Sequence, residues 1–265
     1  MAKETTGILK EIVEYKREFV AQAKREMAQR DLESKVLDLP ETRGFHRALT
    51  GEGCSLIAEV KTASPSRGLI RSDVGIEDIA RIYSENGATC ISVLTDEKYF
   101  QGSLDRLQTV RNVSALPLLR KDFFIDAYQI FEARAAGADA ILLIASCLEL
   151  AEMEDFIEIA ALLDMDCLVE VHDEEEMNGI SSLNTGLIGI NNRNLNTFTT
   201  DIARTSELAA LAPKHAVLVS ESGIFSADDV RRVHAMGASA VLVGEAIMKE
   251  RDMGLKAREL AEAVK

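Results

Sequence analysis

Residues 127–144 read AYQIFEARAAGADAILLI and contain one complete helix-to-strand unit. The first part has the apolar spacing of an amphipathic helix, Gly137 is placed to end that helix, and AILLI at 140 is typical of a short buried strand. A helix that leads into the next parallel strand is the repeating crossover unit of α/β proteins. The number of times this unit recurs therefore decides the fold.

Seven further apolar runs resemble the one at 140: LIAEV at 56, CISVL at 90, LPLLR at 116, CLVEV at 167, LIGIN at 187, AVLVS at 216 and AVLVG at 240. Amphipathic segments such as LAEMEDFIEIAALLD at 150 lie between them, and Gly87, Gly186 and Gly237 stand where helices are expected to end. Eight such units favour a closed (β/α)8 TIM barrel, of the α/β class, over an open sheet. Since no Gly- or Pro-rich linker divides the chain, we predict a single domain over residues 1–265, with the barrel in 51–265.

The pattern of residues 1–50 predicts an N-terminal helical extension. Thr5 or Thr6 is expected to cap its first helix, and RGFHRAL at 43 indicates another short helix. The first helix carries an apolar stripe made of Ile8, Leu9, Ile12, Val13, Phe19 and Val20. Such a stripe favours packing of the extension on the barrel, with a partner-binding helix as the alternative.

The composition limits the classes of partner. Thirty Lys and Arg face 44 Asp and Glu, and the resulting net charge of -14 argues against a nucleic acid or an anionic membrane. The charged N-terminus lacks a secretory signal and no apolar run reaches a membrane-spanning length, so we expect a cytoplasmic protein. The four cysteines and four histidines are widely spaced, which predicts reduced, mostly buried thiols and no metal site.

Charged residues interrupt the first strand, in IAEVKTASPSRG at 57. Glu59 and Lys61 are two apart and share one face of the strand, which fits either a solvated edge or a functional pair. Polar residues also end four other strands: Lys121 in LLRKDFF, Glu170 in LVEVH, Asn191, Asn192 and Arg193 in IGINNRNL, and Glu221, Ser222 and Gly223 in VSESGI. Because the carboxyl ends of barrel strands meet at one face, we expect a single site there.

Two stretches predict a phosphate site. SESGIFSADDV at 220 and VLVGEAIM at 241 each pass from a strand through a glycine, Gly223 or Gly244, into an expected helix start. Arg193 would supply the cation that an acidic protein needs for an anionic ligand. An ordinary tight turn is the alternative for either glycine.

Two aromatic residues follow neighbouring strands. Phe100 in KYFQGSL and Phe123 in RKDFF are placed to sandwich a planar ring, or else to anchor their own loops.

These stretches closely resemble the indole-3-glycerol phosphate synthase family, in the order of that family and from about residue 45 onward. The motifs that carry the resemblance are IAEVKTASPSRG, SVLTDEKYFQGSL, LLRKDFFIDAYQI, LVEVH, IGINNRNL, VSESGI and VGEAIM. The resemblance implies a carboxy-lyase of tryptophan biosynthesis that needs neither metal nor cofactor. Its substrate would be a phosphorylated aryl-amino sugar, 1-(2-carboxyphenylamino)-1-deoxyribulose 5-phosphate, which is closed to an indole with loss of carbon dioxide and water.

The resemblance also implies catalytic roles. Lys121 would be the general acid, Glu170 and Asn191 would steady the developing cation, and Glu59 and Lys61 would serve dehydration. Crowding by another cation or partial desolvation is expected to lower the pKa of Lys121 toward neutrality. The base of that last step, Glu59 or Glu170, stays open. The full catalytic set is Glu59, Lys61, Lys121, Glu170, Asn191 and Ser222.

The resemblance further implies substrate contacts from Ser64, Phe100, Phe123, Leu142, Arg193, Glu221, Gly223, Gly244 and Glu245. Glu245 is expected to take part only through its backbone N–H, because its carboxylate would repel a phosphate. The loop over residues 64–68 is expected to close over substrate.

Two other readings remain. A different phosphosugar barrel, such as phosphoribosylanthranilate isomerase or the tryptophan synthase α subunit, would share the phosphate turns but not the Glu59, Lys61, Lys121 and Glu170 set. A non-catalytic barrel that binds a phosphorylated metabolite would be expected to have lost that set. The sequence predicts no oligomeric state.

Overall fold

A closed barrel of eight parallel strands forms the centre of the molecule. The computed structural model describes residues 7–64, 68–194 and 197–264, and its strands are β1 (Ser55–Val60), β2 (Ala63–Ser64), β3 (Gly68–Leu69), β4 (Cys90–Leu94), β5 (Leu118–Lys121), β6 (Ala140–Ile144), β7 (Asp166–Val171), β8 (Leu187–Asn191), β9 (Val217–Glu221) and β10 (Ala240–Val243). The barrel order is β1-β10-β9-β8-β7-β6-β5-β4, and β4 pairs with β1 to close it. The predicted (β/α)8 barrel is confirmed, with all eight strands at the predicted runs.

Helices follow the barrel strands. They are α4 (Ile76–Glu85), α5 (Glu97–Phe100), α6 (Leu104–Val113), α7 (Tyr128–Ala135), α8 (Leu150–Leu162), α9 (Glu174–Ile180), α10 (Ala203–Ala209), α11 (Ala227–Ala235), α12 (Glu245–Met248) and α13 (Met253–Ala261), and the last two come after β10. In the unit that begins with α7, Ile130 and Ala133 are buried against the barrel, and Gly137 at φ 92° reverses the chain into β6. This left-handed conformation suits glycine because it has no Cβ.

One predicted helix end is wrong. Gly186 directly precedes β8, but α9 ends at Ile180, so a turn of several residues separates the two. Leu183 in that turn is buried, and its packing holds the longer connection against the barrel.

Three helices precede the barrel: α1 (Gly7–Glu26), α2 (Gln29–Val36) and α3 (Phe45–Ala48). The expected Thr5 or Thr6 cap lies outside the described residues. Within the predicted stripe, Leu9, Ile12, Val13 and Val20 are buried, and Ile8 and Phe19 are partly exposed. The hydroxyl of Tyr128 on α7 donates to the carbonyls of Ala23 and Met27, which fixes the end of α1 against the barrel wall.

A lysine lies buried within the apolar face of α1. The ammonium of Lys16 is 2.8 Å from Asp96 and 2.7 Å from Asp122, and all three side chains are almost fully enclosed. Burial would raise the pKa of Asp122, but Lys16 and Arg120 outweigh it and hold that pKa at about 2. The first helix is thereby tied to the loops that follow β4 and β5.

The stretch after β1 forms a small antiparallel hairpin. β2 pairs with β3, so that Ala63 is opposite Leu69 and Ser64 is opposite Gly68. Residues 65–67 lie outside the described residues, and closure of the 64–68 segment over a substrate stays a prediction.

The cysteines are reduced, as predicted, and Cys54, Cys90 and Cys147 are buried while Cys167 is partly exposed. Burial raises the pKa of Cys54, Cys90 and Cys167, to about 12 for Cys54, so these three thiols stay protonated at neutral pH. Across the described ranges, no helix has the length and apolar character needed to cross a membrane.

Replacing Lys16 with methionine should destabilise the protein by about 3–5 kcal/mol, because two buried carboxylates would lose their ammonium. The free energy of unfolding in urea checks this. Lys24→Met on the same helix is the matched control, since its ion pair with Asp126 is 2.7 Å long but largely exposed, and it should cost at most about 1 kcal/mol. Equal losses in the two variants would contradict the importance of the buried pairs.

Candidate active site

A cavity opens at the carboxyl ends of the barrel strands. Its volume is about 1000 Å³, counting the part open to solvent. Fourteen of the predicted site residues line it: Glu59, Lys61, Phe100, Lys121, Phe123, Leu142, Glu170, Asn191, Arg193, Glu221, Ser222, Gly223, Gly244 and Glu245. Ser64 is the exception, because it is buried in β2 away from the lining.

Strand register brings the charged side chains together. Asn191 at the end of β8 is paired with Glu221 of β9, and Glu170 of β7 is paired with Gly189 of β8. The amide of Asn191 donates to Glu170 Oε1 over 3.2 Å. These residues therefore form one polar layer across three neighbouring strands.

Lys121 lies at the centre of this layer. Its ammonium donates to Glu170 Oε2 over 3.1 Å and to Glu221 Oε2 over 2.9 Å. Burial would lower the pKa of Lys121, but the charges of Glu170, Glu221 and Glu59 outweigh it and raise that pKa. The predicted lowering is wrong, because carboxylates rather than cations surround this lysine, and Lys121 is firmly protonated in this arrangement.

The two carboxylates that contact Lys121 differ in basicity. Burial raises the pKa of Glu221 to about 7, with a further contribution from the charge of Glu170, although Lys121 opposes both. Burial acts in the same sense on Glu170, but Lys121, His172 and Asn191 overcome it and hold its pKa well below the usual value. At neutral pH Glu170 is a carboxylate, while Glu221 is able to hold or release a proton.

Glu59 and Lys61 form a second pair at the rim. Lys61, the residue after β1, has its Nζ 3.3 Å from Glu59 Oε2, as expected for side chains two residues apart along an extended chain. Among the described residues, Glu59 Oε1 and Glu221 Oε1 are buried and have no hydrogen-bond partner. Buried acceptors are normally satisfied, so these two oxygens are exceptions in the site.

Two glycines make room for the carboxylates. A Cβ on Gly244 would overlap the carboxylate of Glu59, and one on Gly189 would overlap the carboxylate of Glu221. Any side chain at either position would displace the neighbouring glutamate. Gly244 is therefore required for packing within the site, in addition to its predicted role at a phosphate turn.

The turn after β9 is held in an unusual backbone conformation. Ser222 and Gly223 both have positive φ, 67° and 83°, which is uncommon for serine. The buried amide of Asn192 donates to the carbonyl of Ser222 over 3.0 Å and fixes this conformation. Strain that the surroundings hold in place is a frequent property of ligand-binding turns.

A cation and a carboxylate flank the second turn. Arg193 NH2 is 4.0 Å from Glu245 Oε2, and Glu245 Oε1 accepts from Lys249 over 2.5 Å. The Glu245 carboxylate therefore lies between two cations, Arg193 and Lys249. A role for its backbone N–H in binding an anion stays a prediction.

The rings of Phe100 and Phe123 contact each other. Their centroids are 6.2 Å apart and their planes are inclined by 36°, a spacing too small to admit a third ring. The predicted sandwich is therefore absent from this arrangement, and the two rings form one apolar wall beside Lys61, whose ammonium is 6.0 Å from the Phe100 ring.

A family model described as indole-3-glycerol phosphate synthase matches residues 9–260. The chain belongs to the indole-3-glycerol phosphate synthase family. The synthase of Polaromonas sp. (strain JS666 / ATCC BAA-500) is 47% identical over 259 residues, with 96% of this chain and 98% of the relative covered. That of Albidiferax ferrireducens is 49% identical over 263 residues, with the same coverage.

Solved structures of low identity share the fold alone. The 3-hexulose-6-phosphate synthase of Salmonella typhimurium superimposes with a TM-score of 0.64 at 13% identity, covering 79% of this chain and 97% of that one. This match agrees with the barrel and carries no information on the reaction.

Several residues that line the cavity were not predicted from the sequence. Leu94, Asp122, Ile144, Ile224, Phe225, Leu242, Val243 and Ala246 also line the cavity. Strand alternation was a usable signal for two of them, since Ile144 is two residues after Leu142 and Leu242 is two before Gly244. His172, which contacts Glu170, was also missed although it stands in the LVEVH motif. No group of three or more His, Cys, Asp or Glu suited to a metal ion occurs within the described ranges.

Gly244→Ala should destabilise the protein by about 1–3 kcal/mol, because the new methyl group must displace the Glu59 carboxylate or the backbone. The urea midpoint of unfolding measures the effect. Gly51→Ala is the control, since a Cβ there meets nothing within 4 Å. A Gly244→Ala midpoint equal to that of Gly51→Ala would show that the two groups are not packed as described.

Proposed function

We propose that the chain is an indole-3-glycerol-phosphate synthase that converts 1-(2-carboxyphenylamino)-1-deoxyribulose 5-phosphate to indole-3-glycerol phosphate in tryptophan biosynthesis. The observation that carries this proposal is the convergence of Lys61 and Lys121 with Glu59, Glu170 and Glu221 in one cavity. A ring closure followed by a dehydration needs two proton donors and at least one base, and this group supplies them. Full-length similarity to synthases of this name supports it further.

Lys121 is the proposed acid of ring closure. As the ring carbon that carries the carboxylate bonds to the ketone carbon, the ketone oxygen takes a proton from Lys121. The bond to the carboxylate then breaks, carbon dioxide leaves, and the electron pair returns to the ring. When Glu221 is protonated, one of the charges that raise the pKa of Lys121 is removed, so proton transfer to the substrate becomes easier.

Glu59 and Lys61 are the proposed dehydration pair. Lys61 protonates the departing hydroxyl, and Glu59 removes the carbon-bound proton, so that water leaves and the indole becomes aromatic. The 3.3 Å separation of the pair supports this assignment. Glu170 is the weaker candidate for the base, because its lowered pKa makes it a poor proton acceptor.

The substrate's two ends are expected to bind different walls. The phosphate would lie on the turns at Gly223 and Gly244 beside Arg193, with Ser222 at the start of the first turn. The aryl ring would contact Phe100 and Phe123, with Leu142 on the cavity wall. Asn191, bonded to Glu170, would contact the sugar hydroxyls. Ser64 would contact substrate only if the β2–β3 hairpin moved inward.

The domain and location predictions belong to the same proposal. We propose one domain over 1–265, in which residues 1–50 are a helical extension of the barrel in 51–265, and the buried contacts of Lys16 support that unity. A cytoplasmic location stays a prediction, as does a reaction without metal or cofactor. The ionisable set that a non-catalytic barrel would be expected to lose is present.

The proposal is tested by incubating the purified chain with the anilino-ribulose phosphate in buffer that contains EDTA. Appearance of indole fluorescence and release of one carbon dioxide per product would support it. A well-folded chain that yields neither, with or without added divalent metal, would exclude this activity.

Lys121→Met should lower kcat by about 10²–10⁴-fold, because the proposed general acid is lost, while substrate still binds. The indole fluorescence assay gives kcat, and a binding titration gives affinity. Lys214→Met is the control, since this exposed lysine precedes β9 at the opposite end of the barrel. Normal turnover by Lys121→Met would remove Lys121 from its role.

Arg193→Ala should raise KM by about 10-fold or more and change kcat by less than about 3-fold, because a phosphate contact acts equally in the ground and transition states. Initial rates over a range of substrate concentrations measure both constants. Arg232→Ala, on the exposed side of α11, should leave them unchanged. An unaltered KM for Arg193→Ala would refute the phosphate contact.

A further inference from the structure

A histidine lies between two carboxylates at the edge of the site. His172 follows β7, two residues after Glu170, and its side chain is 9% exposed. Its Nε2 lies 3.1 Å from Glu170 Oε1, and its Nδ1 lies 3.1 Å from Glu176 Oε2. At this distance the protonated ring and the Glu170 carboxylate form an ion pair.

Several elements hold the ring of His172 in place. Glu176, in the first turn of α9, also accepts the backbone N–H of His172 over 2.8 Å. Ser146, in the loop after β6, places its hydroxyl 3.5 Å from Nδ1, and Arg204 on α10 donates to the carbonyl of His172. These contacts fix both the backbone and the ring, so Nε2 stays directed toward the site side of the residue.

The ring is expected to carry a positive charge throughout the working range of pH. Burial would lower the pKa of His172, but its contacts with Glu170 and Glu176 raise that pKa to about 10. Lys121 contacts the other oxygen of the Glu170 carboxylate, Oε2, so each oxygen has a cationic neighbour. The amide of Asn191 donates to Oε1, the oxygen that faces His172.

The two cations beside Glu170, Lys121 and His172, no longer contribute equally once Lys121 protonates the substrate. An ammonium that turns toward a ketone oxygen weakens its contacts with Glu170 and Glu221. Glu221 Oε1 has no other partner among the described residues, and its pKa is already raised. Glu170 keeps the imidazolium, which is fixed outside the cavity lining.

We propose that His172, held by Glu176, is a positioning residue that keeps Glu170 ionised and in place when Lys121 leaves it to protonate the substrate. This rests on the proposed function, because it assigns a purpose to the movement of Lys121. Glu170 then stabilises the cationic intermediate that forms on ring closure.

His172→Gln keeps a polar side chain and removes the charge. We expect kcat to fall by at least about 10-fold and KM to change by less than about 3-fold, since His172 does not line the cavity. The acidic limb of the kcat profile should move to higher pH, because Glu170 would lose a cation that lowers its pKa. His234→Gln is the matched control. His234 lies on the outer helix α11, and its Nδ1 is 2.9 Å from the carbonyl oxygen of Ala238. Both kcat and its pH profile should stay unchanged in this variant.

A double-mutant cycle separates positioning from general structural support. In a Glu170→Gln background, adding His172→Gln should have little further effect on kcat, because the residue on which it acts is already neutral. Independent losses that multiply in the double variant would overturn the proposal, as would an unshifted pH profile in His172→Gln. Absence of product from the wild-type chain would instead refute the proposed function.

The wild-type protein provides a test that needs no variant to fold. Nuclear magnetic resonance titration of the histidine ring protons should find His172 still protonated above pH 8, and a midpoint near 6.5 would overturn the proposal. Glu176→Gln should lower that midpoint and reproduce part of the kcat loss. A lowered midpoint with unchanged kcat would also overturn it.

Discussion

The ammonium of Lys121 between Glu170 and Glu221 is the contact on which the barrel mouth depends. Two carboxylates buried a few ångströms apart cannot both stay ionised without a cation, and one lysine on β5 supplies it to β7 and β9 together. The closed barrel keeps these strands in register, so the folded barrel brings the three side chains together without a ligand. Its result is an unequal pair, with Glu170 charged and Glu221 close to its titration point, and this inequality is what acid and base chemistry requires.

A second buried lysine between two carboxylates involves Asp122, the residue after Lys121. Lys16 from α1 lies between Asp96 and Asp122, just as Lys121 lies between two glutamates. Because Asp122 follows Lys121 directly, the N-terminal helices brace the segment that carries the proposed acid. The polar network of the site therefore continues through the loops after β4 and β5 into α1, and the first helix contributes to the position of a residue it never touches.

Periodicity and strand ends predicted most of this structure. Eight apolar runs became eight strands, and the rule that carboxyl ends converge placed Glu59, Lys121 and Glu170 in one cavity. The pKa shifts and the buried ion pairs were not predictable, because they depend on which charges lie close to a given atom. The pKa of Lys121 shifts in the opposite direction to the prediction, because sequence gives the presence of carboxylates and not their distances. The partners of Lys16 were equally hidden, since they lie in distant parts of the chain.

The space that Gly189 and Gly244 leave for the Glu221 and Glu59 carboxylates has a consequence for how relatives diverge. Gly189 with Glu221 and Gly244 with Glu59 form two glycine–glutamate pairs, and neither member of a pair is expected to be substituted alone. An alanine in place of the glycine requires a shorter side chain, or none, in place of the glutamate. Substitutions within each pair should therefore be correlated across relatives. A relative that has lost this activity would be recognised by changes at both positions of a pair.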